Sequence, residues 1–330
     1  MLNMETVKQL EVALNRFQSC PLNLFRVNLD IFLSTLDSDI HLTSLVTDIC
    51  KSHEVILGDK TSTFVKNVGS SAWTDLKDFN SASLMAAFCY RLCQCLLDEP
   101  SPIVCGKNAL AIGYYYGGHL GKASNMSASD SISVFSDLFM QPLVAYLRSA
   151  SEVRHQILVL LSRYRQRSEW FKDRTQVEQL QNEGVNLEKG LKMDFLCYLF
   201  DNDISFSIEA ETPSGGGEVD VLAVLPELGA LPIEVKVFDG KKRGVPYITR
   251  GLAQTCEYAR KFNCYEAYYI VYNVAENTTL SFEGGSIQSN VIRIPIASYI
   301  IHSIVIDLRI TLAASLAKNL LSVNIQLPEG

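Results

Sequence analysis

The spacing of apolar residues changes along this chain, and the change limits the folds that it can adopt. Up to about residue 150, apolar residues recur at steps of three and four, as in SASLMAAFCYRLCQCLL. This spacing is typical of amphipathic helices. From about residue 183 onward, the pattern is one helix, NLEKGLKMDFLCYLFDN, followed by short β-rich runs. The sequence therefore predicts a mostly α-helical N-terminal domain followed by an α/β domain.

The order of elements in the second half predicts the kind of α/β fold. Three short runs have the composition of strands: ISFSIEAE, GEVDVLAVL and ALPIEVKVF. A helical segment follows, YITRGLAQTCEYARKF, and then come the apolar runs EAYYIVYNV and NVIRIPIAS. The order helix, three strands, helix and strand predicts a mixed sheet flanked by helices.

We divide the chain into three segments on this basis. Residues 1–150 form a helical domain with a role in recognition, sensing or assembly, residues 151–182 form a basic connector helix, and residues 183–330 form the α/β domain. The connector either follows a nucleic-acid backbone or packs its leucines on a neighbouring element. Its basic residues are Arg154, Arg163, Arg165, Arg167, Lys172 and Arg174.

Composition excludes some classes of protein. The chain of 330 residues is 48% hydrophobic and 20% charged, as in ordinary globular proteins. Its net charge of −7 argues against a generally basic nucleic-acid binder, although a local basic surface remains compatible with it. The N-terminal segment reads as a mixed-charge amphipathic helix, and no apolar run is long enough to span a membrane. We expect a cytoplasmic protein with reduced cysteines and no membrane partner.

Ionisable residues interrupt two of the apolar strands. Asp220 lies in EVDVLAVL, and Glu234 and Lys236 lie in LPIEVKVF. Because side chains alternate along a strand, Glu234 and Lys236 share one face, opposite to their valine neighbours. The segment LPELG between the two runs suits a turn. If the runs form a hairpin, Asp220 and Glu234 meet on one face.

Two carboxylates that are held close together repel each other when both are ionised. A divalent cation relieves this repulsion, and oxygen ligands select a hard cation such as Mg²⁺. Lys236 adds a positive charge that can hold a water molecule or stabilise negative charge on a phosphate. The alternative is a solvated sheet face with a cross-strand ion pair, which the apolar neighbours disfavour.

These residues resemble a known family. The order of an acid in one strand, a short hairpin and Glu-x-Lys in the next strand resembles the PD-(D/E)XK nuclease superfamily. Gln254 and Tyr258, which lie four residues apart in GLAQTCEYARKF, are similar to the Q-x-x-x-Y helix motif of its RecB-like branch. The preceding helix offers Glu188. The resemblance covers roughly residues 183–275.

The resemblance implies a restriction-endonuclease-like C-terminal domain with metal-dependent nuclease activity. It implies hydrolysis of phosphodiester bonds in DNA by an endonuclease, in restriction or phage defence, with Mg²⁺ as cofactor and Mn²⁺ as a substitute. Lys236 would position the attacking water, and Gln254 would steady that lysine or a phosphate oxygen. The implied metal ligands are the side chains of Glu188, Asp220 and Glu234 and the carbonyl of Val235.

Basic residues after the Glu-x-Lys strand are candidates for contacts with nucleic acid, because phosphate contacts supply most non-specific affinity. A solvated turn explains them equally well. Two other functions stay open: a catalytically inactive nuclease-fold binding module, and an RNase that uses the same site. Residues 1–150 could also bind a protein partner or a second copy of the chain. The candidate nucleic-acid-binding residues are Lys241, Lys242, Arg243, Arg250 and Tyr258.

Overall fold

A computed structural model of the chain shows two compact units, within Leu2–Glu152 and Val153–Gly330. The boundary falls inside one long helix, so that most of the basic segment belongs to the second unit. The described residues are 4–58, 60–66, 79, 81–119, 126–204, 206–211, 218–225, 229–262, 264–288, 290–297, 299–309 and 320–328.

The unit within Leu2–Glu152 is helical, as the spacing of apolar residues predicts. Polar caps begin several helices; Asp39, for example, accepts hydrogen bonds from the amides of His41 and Leu42. Stacked and edge-to-face aromatic rings fill its core, among them Phe88 and Phe139. Its helices are α1 (Met4–Asn15), α2 (Phe25–Asp37), α3 (Ile40–Ser52), α4 (Glu54–Leu57), α5 (Lys60–Lys66), α6 (Ala82–Leu97), α7 (Pro102–His119), α8 (Ala128–Phe135) and the first part of α9 (Gln141–Arg167).

The second unit combines helices with a sheet, which confirms the predicted α/β class. Its helices are the rest of α9, α10 (Asp173–Asn182), α11 (Leu187–Asp201) and α12 (Val245–Lys261). Its strands are β1 (Phe206–Glu211), β2 (Glu218–Leu225), β3 (Gly229–Phe238), β4 (Glu266–Asn273), β5 (Thr278–Phe282), β6 (Ser286–Gln288), β7 (Val291–Ile296), β8 (Tyr299–Asp307) and β9 (Leu321–Ile325).

The main sheet is mixed, as predicted. Within the described residues it has seven strands in the order β1-β2-β3-β4-β8-β7-β6, while β5 and β9 pair separately. Strands β1, β2 and β3 are antiparallel, and β3, β4 and β8 run parallel at the centre. The connection from β3 to β4 passes through α12, as parallel neighbours require a crossover. This arrangement buries β3 in the middle of the sheet.

Alternating side chains divide the core of this unit between the two sheet faces. On one face, residues such as Val235 and Val237 of β3 pack with apolar residues of α9, α10 and α11. On the other face, Phe238, Tyr269 and Val271 pack with Leu252 of α12. Even-numbered residues of β3, which include Glu234 and Lys236, therefore face α12.

Basic residues of the segment 151–182 form ion pairs within their own unit. Arg154 is buried beside Glu266 at 3.3 Å, and Arg167 donates both terminal nitrogens to Asp194 at 3.0 and 3.2 Å. Lys172 also pairs with Asp194. This engagement favours a packed connector over a surface that follows nucleic acid. No described helix combines the length and the apolar character that crossing a membrane requires.

Candidate active site

The hairpin of β2 and β3 brings the two strand acids together. The register pairs Val221 with Ile233, so Asp220 lies beside Glu234 on the face that α12 covers. The amide of Val235 donates a hydrogen bond to Oδ2 of Asp220 at 3.0 Å. This bond fixes the Asp220 carboxylate against the backbone of β3. Alternation along two strands thus places both acids as the sequence predicts.

Glu234 is a buried acid with incomplete hydrogen bonding. It is 3% exposed, and its Oε1 accepts a hydrogen bond from Nζ of Lys236. Its Oε2 is buried and has no hydrogen-bond partner among the described residues. Burial raises the pKa of Glu234 to about 7, and the charge of Asp220 adds to the increase, while Lys236 opposes it. A carboxylate oxygen left in this state is costly for folding, because its desolvation is uncompensated.

Lys236 supplies the positive charge between the two acids. Its Nζ lies 3.9 Å from Oδ2 of Asp220, and its side chain is 12% exposed. Burial by itself would lower the pKa of Lys236, but the neighbouring carboxylates of Glu234 and Asp220 outweigh burial and raise it. The lysine therefore carries its charge at neutral pH and acts as a cation in the site.

Helix α11 contributes a predicted acid and a lysine that the sequence analysis missed. Glu188, in the first turn of α11, accepts a hydrogen bond from the amide of Val237 at 3.3 Å. Lys192, one turn later on the same helix, donates from Nζ to Oδ1 of Asp220 at 3.2 Å. Residues four apart share a helix face, which is the signal that could have identified Lys192 once Glu188 was chosen.

Tyr247, in the first turn of α12, is a second residue that the sequence analysis missed. Its hydroxyl donates to the Glu188 carboxylate, at 2.7 Å from Oε2 and 3.0 Å from Oε1. The centroid of its ring lies 5.9 Å from Nζ of Lys236. Burial and the hydrogen bond to Glu188 both raise the pKa of Tyr247. Tyr247 thus links the acid of α11 to the lysine of β3.

The two residues of the predicted Q-x-x-x-Y motif lie on α12 in different surroundings. Gln254 is exposed, whereas Tyr258 is buried. The structure places Tyr247, two turns before Gln254, over Lys236. The burial of Tyr258 favours packing over base stacking. Between these residues, Gly251 brings α12 so close to the sheet that a Cβ atom there would lie 2.9 Å from Cγ of Lys236.

The predicted basic residues after β3 form a turn beside the site. Asp239 accepts hydrogen bonds from the amides of Lys241 and Arg243, both at 2.8 Å. Nε of Arg243 lies 4.0 Å from Oε2 of Glu188, so this residue faces the acids. Lys241 and Lys242 are exposed, as is Arg250 on α12. The turn thus exposes two lysine side chains on a backbone that Asp239 fixes.

The acidic side chains of the site offer a partial fit to the implied Mg²⁺. Among the described residues, no group of three or more His, Cys, Asp or Glu side chains is arranged to hold a metal ion. Asp220 and Glu234 nevertheless provide paired carboxylates, and no described residue donates a hydrogen bond to Oε2 of Glu234. Mg²⁺ is commonly held by one or two carboxylates, with water and phosphate completing its coordination. The pair therefore fits a hard cation, and the nearby Glu188 accepts a hydrogen bond from Tyr247.

Comparison with known proteins yields no match for this chain, either to a family model, to a curated protein or to a solved structure.

Proposed function

We propose that the unit within Val153–Gly330 is a divalent-metal-dependent nuclease of the PD-(D/E)XK type that hydrolyses phosphodiester bonds in DNA. One observation carries the proposal: Glu234 is a buried acid beside Asp220, and its Oε2 has no hydrogen-bond partner in the part of the chain that the structure describes. Folding alone gives no reason to bury such an atom, whereas a cation bound by the two acids would compensate it.

The proposed metal ligands come from two strands and one helix. Asp220, Glu234 and the carbonyl of Val235 would hold Mg²⁺ or Mn²⁺, with Glu188 as a further ligand from α11. When bound, the ion supplies Lewis-acid stabilisation of the scissile phosphate and a more acidic water molecule. The backbone amide of Val235 keeps Asp220 oriented for this role.

The remaining side chains bind and orient the substrate. Lys236 stays protonated, so its ammonium orients the attacking water and stabilises the charge that develops on phosphate. Gln254, which is exposed on α12, would contact a phosphate oxygen. Lys241 and Lys242 would hold the flanking backbone through charge. Residues 1–150 would act in recognition, sensing or assembly, in the context of restriction or phage defence.

A non-catalytic nucleic-acid-binding module is the second candidate, and one observation favours it. Asp220 is bound by Lys192 and Glu188 by Tyr247, so both acids already have partners within the chain. Such a site can be a stable charge network on a nuclease-like scaffold, because a fold by itself does not establish catalysis.

Cleavage assays separate these candidates. The full chain would be incubated with plasmid DNA and, in parallel, with RNA, in Mg²⁺ and in EDTA. If the chain is a nuclease, it cleaves in Mg²⁺ and not in EDTA. Asp220→Asn should then abolish cleavage, whereas Asp203→Asn, the same substitution at an exposed acid, should preserve it. Binding of DNA without cleavage would support the binding module, and cleavage of RNA alone would identify an RNase.

A further inference from the structure

We infer that Lys192 is a built-in competitor of the divalent metal: its ammonium neutralises Asp220 in the metal-free protein, and metal binding displaces it. This inference rests on the proposed metal site and states what limits the binding of the metal there. Nζ of Lys192 lies 3.2 Å from Oδ1 of Asp220, and their side chains are 13% and 23% exposed. The contact is therefore a shielded ion pair with limited access to water.

Both carboxylate oxygens of Asp220 are occupied by donors of the chain. The amide of Val235 binds Oδ2, and the ammonium of Lys192 binds Oδ1. The amide is fixed in β3, whereas the ammonium ends a flexible side chain of four methylene groups. Lys192 is therefore the donor that can move when Asp220 binds another cation.

The charges of the site indicate how loss of Lys192 should change the affinity for metal. Lys192 and Lys236 bring two positive charges to Asp220 and Glu234, so this pair of acids carries no excess of negative charge. A divalent cation that enters the cluster is repelled by the two nearby ammonium groups. Removal of one of them leaves the acids with excess negative charge, and charges interact strongly in a site that is shielded from water. Loss of the Lys192 charge should therefore tighten metal binding.

A metal-binding titration tests this inference without any need for catalysis. Mn²⁺ would be added to the full chain at fixed pH and ionic strength, and the paramagnetic resonance signal of free Mn²⁺ would give the dissociation constant. Lys192→Met keeps the length of the side chain and removes its charge. We expect it to bind Mn²⁺ on the order of tenfold more tightly than wild type, a change of about 1.4 kcal/mol.

The same helix supplies a matched control. Lys189 is an exposed lysine of α11, and Lys189→Met makes the same change in net charge. This variant and Lys192→Arg should bind Mn²⁺ as wild type does, because each keeps a cation beside Asp220. Equal or weaker binding by Lys192→Met would overturn the inference, since a purely structural role for Lys192 does not predict tighter binding.

Two further variants complete the test. Circular dichroism would establish that Lys192→Met folds; if it does not, Lys192→Gln carries the same expectation, because its neutral amide can still donate to Asp220. Asp220→Asn separates the two proposals. If wild type and Asp220→Asn bind Mn²⁺ equally, the proposed metal site itself fails. If binding depends on Asp220 but loss of the Lys192 charge does not tighten it, only the competition by Lys192 fails.

Discussion

A single methyl group at Gly251 would test how closely α12 packs against the candidate site. A Cβ atom at this position would lie 2.5 Å from the hydroxyl oxygen of Tyr269 and 2.9 Å from Cγ of Lys236. The tyrosine cannot move aside at low cost, because it is fully buried and its hydroxyl donates to the carbonyl of Ile248 at 2.8 Å. The Gly251→Ala substitution must therefore shift α12 or the Lys236 side chain.

Two opposing effects set the magnitude of the change. In the interior of a helix, replacing glycine with alanine ordinarily stabilises the protein by about 1 kcal/mol. Overpacking of a filled core costs about 1–3 kcal/mol. A methyl group at position 251 would make two close contacts, one of them with a fixed ring. We therefore place its overpacking cost in the upper part of that range. We therefore expect Gly251→Ala to lower the free energy of unfolding by about 1–2 kcal/mol.

Denaturation by urea, followed by circular dichroism, measures this difference. Gly244→Ala is the matched control, because the nearest atoms to its Cβ would be the Lys241 carbonyl oxygen at 3.7 Å and Cδ of Pro246 at 3.9 Å. Gly244 is the N-cap of α12, where alanine is less favourable than glycine, so the control should lower the free energy of unfolding by less than about 1 kcal/mol. The reasoning is refuted if Gly251→Ala is as stable as wild type or more stable.

Three other substitutions test separate parts of the structure. Asp194→Asn should cost about 1–3 kcal/mol at pH 7, because it leaves two cations unpaired. Burial alone would raise the pKa of Asp194, but Arg167 and Lys172 outweigh burial and lower it. The stability advantage of wild type should therefore be present above about pH 4 and disappear as the pH falls through the lowered pKa of Asp194. Urea denaturation at a series of pH values measures this change. Tyr247→Phe keeps the ring over Lys236 but removes the donor to Glu188, so we expect the free energy of unfolding to fall by about 0.5–1.5 kcal/mol in the same assay. An unchanged free energy of unfolding would show that this hydrogen bond contributes nothing. Joint substitution of Lys241 and Lys242 by Gln should weaken DNA binding in Ca²⁺ and reduce the log–log salt slope by up to about 1.8, whereas an unchanged slope would identify the loop as a solvated turn.

Local sequence patterns predicted the part of the site that lies on neighbouring strands. Alternation within β2 and β3 was sufficient to place Asp220 and Glu234 on one face. The predicted turn LPELG between the strands falls mostly outside the described residues. The hairpin is a local structure, so its register follows from a short stretch of chain. The mixed sheet between helices was also predicted, although the run that forms β8 was not recognised as a strand.

The contacts that the sequence did not predict are long-range. Lys192 reaches Asp220 from a helix, and Tyr247 reaches Glu188 from another, and no local periodicity connects these pairs. The basic segment is a similar case. The sequence left two interpretations of that segment open, contact with nucleic acid or packing on a neighbouring element, and the structure places Asp194 of α11 beside Arg167. Tertiary contacts of this kind depend on how α11 and α12 pack on the sheet, which residue spacing along one helix does not specify.

We propose above all that Glu234, the buried acid of β3, serves phosphodiester hydrolysis. The most direct measurement is the single-turnover rate of plasmid cleavage at saturating Mg²⁺ for wild type and Glu234→Gln, with DNA binding measured in Ca²⁺ and folding by circular dichroism. We expect Glu234→Gln to fold and to bind DNA but to cleave about a hundredfold more slowly or not at all. A folded Glu234→Gln variant that cleaves DNA at the wild-type rate would contradict this proposal.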